Sequence, residues 1–288
     1  MKDRKFGKVA IVGLGLIGGS LAWSLKKSGR IENVTGIDTD GDAIDFAISK
    51  KIIDEGHTDL CKGVSGAEIV VIATHVGEII KTAREIIPCA AKGAVITDVG
   101  SVKGRIVRDI EKLLPARVHF VGGHPIAGTE NSGVRAGDPD LFRGKRFIIT
   151  PSSKTYPKAI KKVASLWEAA GSDVYEMDPQ AHDRIFGFVS HLPHLVAYSL
   201  VDTVLSAPDS ETLLDFAGGG LGDFTRVAAS SPEMWSDIFS ANRVNTLKAL
   251  RKFRKSLQKL EAAIESKDSE TLKKLLSKSS LARRKGFK

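Results

Sequence analysis

The sequence predicts an α/β dinucleotide-binding (Rossmann-type) domain followed by an all-helical domain, and three observations carry that reading. Short β-rich runs alternate with helical patterns from Lys8 to about Met177. A glycine signature, GLGLIGGS, directly follows the first of those runs. Beyond Asp178 no strand-like run occurs. Alternation of the first kind specifies a mainly parallel sheet with helices on both faces.

Taken in order, the runs KVAIVG, NVTGID, AEIVVIAT, GAVITDVG, RVHFVGGHP, RFIIT and SDVYEMD read as strands, separated by helical patterns such as Gly18 to Ser28 and Lys103 to Leu114. The expected division is 1–177 for the α/β domain and 178–288 for the helical one, and 288 residues are enough for two cores of ordinary size. Near the end, Leu247, Leu250, Phe253, Leu257, Leu260 and Ile264 recur at helical spacing, which describes an amphipathic helix with a buried apolar stripe.

The net charge of +9 raises nucleic acid as a partner, but its distribution argues otherwise. Lys248 to Lys288 carries 14 of the 43 basic residues and only 4 of the 34 acidic ones, so the rest of the chain is close to neutral. The basic tail reads as a solvated helix face, with nucleic acid or another acidic partner as the weaker alternative. No nucleic-acid or membrane partner is expected: no segment reaches the roughly 18 to 20 unbroken apolar residues of a membrane span. The basic N-terminus runs into a short, glycine-broken strand rather than a signal peptide. Cys61 and Cys89 stand apart in patterned segments, so neither a disulfide nor a metal site is expected, and a cytoplasmic location fits.

In GLGLIGGS, Gly13, Gly15 and Gly18 form G-x-G-x-x-G between a strand and a helix, and Asp38 follows twenty residues later at the end of NVTGID. That context is what a dinucleotide site needs. Gly13 allows the tight turn, Gly15 lets the backbone approach a pyrophosphate lying on the helix N-terminus at Leu16 and Ile17, and Gly18 allows close packing. Asp38 can accept from both ribose hydroxyls and repels a 2′-phosphate; no Arg or Lys follows in DTDGD, so NAD is expected over NADP. Thr74 and Ser101 are hydroxyls at the ends of the strands VIAT and VITD, on the edge where ligands sit. Helix capping competes as an explanation for both. His124 ends the next strand, within VGGHPIAGTENSG, and a histidine in that position points to the chemistry of the site.

GLGLIGGS, DVGSVK, GGHPIAGTENSG, HDRIFGFVSHLPHLVA and GGGLGDFTRVAASSPEMWSDI, in this order and spacing, resemble the prephenate dehydrogenase family from about Lys8 to Leu260. The resemblance implies an NAD-dependent oxidative decarboxylation of prephenate to 4-hydroxyphenylpyruvate in a cleft between the domains. It implies a helical domain that dimerises, and His124 as the group that takes the hydroxyl proton, oriented by Ser101. It further implies that Arg226 binds a substrate carboxylate, that His194 binds substrate, that His191 organises the cleft, and that Glu130 gates the substrate's arm. Asp183, beside His182, is expected to support local geometry, and Trp235 to pack. His75 departs from the family pattern, which has Pro after the Thr of IAT. Arogenate dehydrogenation, a β-hydroxyacid-type dehydrogenase and a non-enzymatic NAD-responsive module remain as alternatives. An imidazole base near its ordinary pKa of ~6.5 would give the activity an acid limb in that range.

Overall fold

The computed structural model describes residues 5–129 and 131–286. The first half runs β1 (Phe6–Val12), α1 (Leu16–Ser28), β2 (Ile31–Ile37), α2 (Gly41–Ser49), β3 (Glu55–His57), α3 (Leu60–Val64), β4 (Ile69–Ile72) and α4 (Ile79–Ile86). It continues with β5 (Val95–Asp98), α5 (Gly104–Glu111), β6 (His119–Pro125), β7 (Arg146–Thr150), α6 (Pro157–Ala169) and β8 (Asp173–Glu176). The strands form one eight-stranded sheet in the order β3-β2-β1-β4-β5-β6-β7-β8. All neighbouring pairs are parallel except β6 with β7, where Gly123 lies opposite Ile149. Among the described residues of the 126–145 connection between them there is a short 3-10 turn, Val134–Ala136, and no crossover helix to turn the chain back into a parallel strand.

Strand periodicity sorts the apolar residues onto the two faces. Val9, Ile11, Ile69 and Val71 pack with Leu21, Leu25 and Trp167 on one side. Ala10, Val12, Val70 and Ile72 pack with Ile79, Ile106 and Ile110 on the other. The order reverses at β1 and β4, which opens a crevice at the carboxyl ends of the strands. The strand β3 has no counterpart in the sequence reading, because three half-exposed residues, EGH, carry no apolar alternation.

From Pro179 onward the chain is helical: α7 (Pro179–Phe186), a π-helical turn at Gly187–His191, α8 (Leu192–Leu205), α9 (Ser210–Asp215), α10 (Gly219–Thr225), α11 (Pro232–Ala241), α12 (Arg243–Glu265) and α13 (Ser269–Arg284). Trp235 and Ile238 of α11 join the second apolar cluster and so dock this half onto the sheet domain.

Two expectations are corrected. Cys61 and Cys89 are joined in a disulfide with Cα atoms 5.3 Å apart. Packing of α3 against the end of α4 brings together residues 28 apart in sequence, which spacing alone does not reveal. The apolar stripe of α12 is not buried within this chain either: Leu257 and Ile264 are exposed, and the buried residues of the helix are Thr246, Ala249 and Ala263.

Candidate active site

The glycine loop is built around close contacts. Gly13 has φ +97°, and a Cβ there would lie 2.7 Å from the Ala73 carbonyl; one on Gly18 would meet the Gly13 carbonyl at 1.9 Å. At Gly15 nothing lies within 4 Å, so the turn is open on the side where an anion would approach. Gly15 caps α1 without a side-chain hydrogen bond, and the first turn has no acidic residue. The N–H groups there and the positive end of the helix dipole therefore favour a phosphate. Asp38 at the end of β2 accepts from the Leu14 N–H at 2.6 Å and the Asp40 N–H at 3.0 Å. The carboxylate is thereby tied to the same loop. Thr74 and Ser101 follow β4 and β5, and both hydroxyl oxygens are buried with no hydrogen-bond partner among the described residues. Neither caps a helix. His75 is exposed at the edge of this region.

Beneath Ser101 lies a buried charge pair that sequence reasoning passed over. Lys103 is fully buried, its Nζ donating to an Asp98 carboxylate oxygen and, at 2.7 Å, to the Gly123 carbonyl. Asp98 also accepts from the N–H of Gly100 at 2.9 Å and of Gly123 at 3.1 Å. Burial lowers the Lys103 pKa, opposed by Asp98 and then Asp183. An ammonium and a carboxylate this deep are tolerated only because their remaining bonding positions are filled. The one sequence signal was a lysine five residues after a strand-end aspartate.

The glycines before His124 now have a specific cause. A Cβ on Gly123 would come within 2.4 Å of the Phe147 ring, and one on Gly122 within 2.5 Å of the Thr150 hydroxyl. They allow β6 to sit against β7 and the Asp98–Lys103 pair, so packing within the protein already requires them.

His124, near the end of β6, is partly exposed and meets the helical half directly. Its Nδ1 lies 2.8 Å from His182 Nε2, and His182 Nδ1 lies 3.0 Å from Asp183 Oδ1. Asp183 in turn accepts from the Lys103 N–H at 2.7 Å and the Gly104 N–H at 2.9 Å. Phe186 stacks on His182 with centroids 4.4 Å apart and meets His124 edge-on at 4.9 Å. Burial above all, with His182, Lys103 and His191 adding like charge, holds the His124 pKa well below the ordinary imidazole value. An acid limb near pH 6.5 is therefore not what this environment produces.

The π-helical turn carries His191, fully buried, whose Nδ1 is 3.1 Å from Asn242 Nδ2. The same Asn242 amide donates to the Asp183 carbonyl at 2.7 Å. Burial pushes the His191 pKa down to about 4. His194, in the first turn of α8, donates from Nδ1 to the Ser190 carbonyl, 2.9 Å away, and stacks on Trp235 with centroids 3.7 Å apart. Trp235 thus packs and also forms the floor under a site histidine. Arg226, exposed at the end of α10, is close enough for its charge to help lower the His194 pKa, after burial. Glu130 lies outside the described residues. A groove of ≈ 560 Å³ between α4, α5 and α11, lined by Ile80, Arg84, Ile106 and Asp237, contains none of the site residues named from the sequence.

Residues 21–176 match the family model described as prephenate dehydrogenase, nucleotide-binding domain, and residues 178–278 match prephenate dehydrogenase, dimerization domain. The chain is 36% identical over 274 residues to the prephenate dehydrogenase of Bacillus subtilis, a match covering 94% of this chain and 73% of that protein. It is similar, at 41% identity and TM-score 0.91 with 98% of each chain covered, to prephenate dehydrogenase from A. aeolicus in complex with hydroxyphenyl propionate and NAD+. It is also similar to Synechocystis arogenate dehydrogenase, at 30% identity and TM-score 0.82, covering 97% of this chain and all of that one.

Proposed function

The chain belongs to the prephenate dehydrogenase family, and from that premise we infer that it catalyses the NAD-dependent oxidative decarboxylation of prephenate to 4-hydroxyphenylpyruvate. The cofactor cradle fits NAD: an uncapped helix N-terminus, an open Gly15 and a carboxylate, Asp38, where a ribose diol would lie. Bound there, NAD would supply the acceptor for a hydride from the hydroxyl-bearing ring carbon of the substrate. Loss of CO2 from the para carbon makes the ring aromatic, so the protein has to position one carbon and receive one proton.

The observation that carries the reading is His124, whose Nδ1 is engaged by His182 while its Nε2 has no partner among the described residues. A neutral imidazole with a free nitrogen at the cleft accepts the hydroxyl proton as charge develops. Ser101, its buried hydroxyl without a partner among the described residues, orients the substrate hydroxyl and His124. Thr74 supports the cofactor from the neighbouring strand end. Arg226 receives a substrate carboxylate in its guanidinium fork, and His194 binds substrate from its platform on Trp235. His191 organises the cleft through Asn242, and Glu130 gates the substrate's arm.

The functional unit is a homodimer formed through the helical half. The support is apolar surface that one chain leaves uncovered, with Phe216 85% and Val244 77% exposed, beside a dimerization-domain match over the same residues. A mass near twice 30.9 kDa by light scattering is the expected result, and a single-chain mass at micromolar concentration would exclude it. No helix is long and apolar enough to cross a membrane among the described residues; reliance on a diffusible dinucleotide supports a cytoplasmic location.

A second reading, arogenate as substrate, is supported by the likeness to Synechocystis arogenate dehydrogenase. Supplying prephenate and arogenate separately with NAD, and following reduced-cofactor absorbance, separates the two. Turnover of arogenate alone overturns the main reading, and turnover of neither removes both.

A further inference from the structure

We propose that His182 is a positioning residue that holds His124 in the tautomer with its proton on Nδ1, and that Asp183 anchors the arrangement from the helical half. The inference rests on the reading of His124 as proton acceptor and extends it to the residues that make it one.

The argument begins at the carboxylate. Asp183 accepts two backbone N–H groups, those of Lys103 and Gly104 at the start of α5, at 2.7 and 2.9 Å, so its position is set by the sheet domain. The Asn242 amide holds the Asp183 carbonyl at 2.7 Å from the other side. His182 Nδ1 lies 3.0 Å from Asp183 Oδ1, and a carboxylate can only accept; His182 Nδ1 therefore carries a proton.

A neutral ring protonated at Nδ1 has a bare Nε2. That nitrogen lies 2.8 Å from His124 Nδ1, so His124 must donate there. The proton of neutral His124 is then on Nδ1, and Nε2 keeps its lone pair. The opposite tautomer would set two lone pairs 2.8 Å apart in the interior, a buried unsatisfied contact on both rings. The remaining escape, a doubly protonated His182, is opposed by complete burial and by the ammonium of Lys103.

Phe186 fixes the angle. It stacks within 26° of the His182 plane and stands at 64° to His124, so neither ring can turn without displacing it. During the reaction the substrate hydroxyl proton moves to His124 Nε2 while the Nδ1 proton stays in its bond to His182. The imidazolium so formed is stabilised through His182 by Asp183. No proton need travel further, and the ring returns to neutral by losing the Nε2 proton to solvent.

The first measurement is ¹⁵N NMR of the histidine side chains in the unliganded full-length protein, assigned with His124→Asn. The expected spectrum shows His124 with a protonated Nδ1 and a bare Nε2; the reverse pattern overturns the proposal, whatever the enzyme's activity. The second compares His182→Leu, which removes the acceptor, with His182→Gln, whose amide oxygen can replace Nε2. Leu is expected to lower kcat by about 10²-fold with KM for NAD unchanged, and Gln to recover most of it. Equal losses in the two variants, or no loss in Leu, would mean that His182 only fills space. Should His124→Asn itself retain full activity, the reading of His124 as the proton acceptor fails, a result distinct from the NMR outcome.

Discussion

The two halves of the molecule solve the burial problem differently. The sheet domain closes two apolar clusters, one on each face, with strands β1, β4 and β5 almost fully covered. The helical half buries little by itself: α8 contributes Ala197, α12 three small or polar residues, and α13 none. Burial of apolar area is the main favourable term in folding, so the first half is closed by its own side chains, whereas the second leaves apolar surface that the proposed dimer would cover. The same asymmetry runs through the site. On the proposed reading, strand ends supply rigid chemistry, at Asp38, Ser101 and His124, whereas the helices supply recognition through Arg226 and His194, and assembly. Asp183 and Trp235 are where the two meet.

If that division is right, the largest effect belongs to the sheet edge. His124→Asn should lower kcat by about 10² to 10⁴ while NAD binds as before, since a positioned base acts in the transition state. Because burial, His182, Lys103 and His191 all push the His124 pKa down, the acid limb of unmutated activity should lie well below pH 6.5. A limb at 6.5, or one that survives in the Asn variant, would assign the proton to another group.

Arg226→Ala tests the helical side. Substrate kcat/KM should fall by on the order of 2 to 5 kcal/mol, with KM for NAD unaffected, because a carboxylate enters the cleft unpaired. A loss shared equally by both substrates would break the division between chemistry and recognition.

The junction between the halves should respond to acid. His191 has a folded-state pKa of about 4, below the ~6.5 of an unfolded histidine. Between those values the unfolded chain binds a proton that the folded one refuses, so stability is whole above pH 6.5 and falls as pH drops. By pH 4 the loss from this residue is on the order of 3 kcal/mol. Urea titrations at pH 7 and 4.5 should show the slope, and His191→Asn, which retains an acceptor for Asn242, should reduce it. An unchanged slope would show that His191 is not the group being titrated.

The smallest effect is expected at the cofactor. Asp38→Ser should narrow the preference for NAD over NADP by roughly 1 to 3 kcal/mol, the worth of a charge-assisted pair, with little change in the substrate KM. Equal use of both cofactors by the unmutated protein would contradict the role given to Asp38.

Much was legible from the sequence alone. Regular alternation and the GLGLIGGS–Asp38 spacing are local patterns, and each depends on backbone conformations that neighbouring residues dictate. They were sufficient for the sheet, the cofactor cradle and the change to helix after Asp178. The motifs around His124, Arg226 and His194 carried the chemistry by resemblance. Tertiary structure alone decided what depends on residues meeting across long separations. His182 lies 58 residues from His124 and Lys103 lies 80 from Asp183, and no local period links them. Cys61 and Cys89 met because two helices pack. The apolar stripe of α12 carried the periodicity of a buried face, yet periodicity records that a face is to be covered and not by what; here Leu257 and Ile264 are left exposed among the described residues.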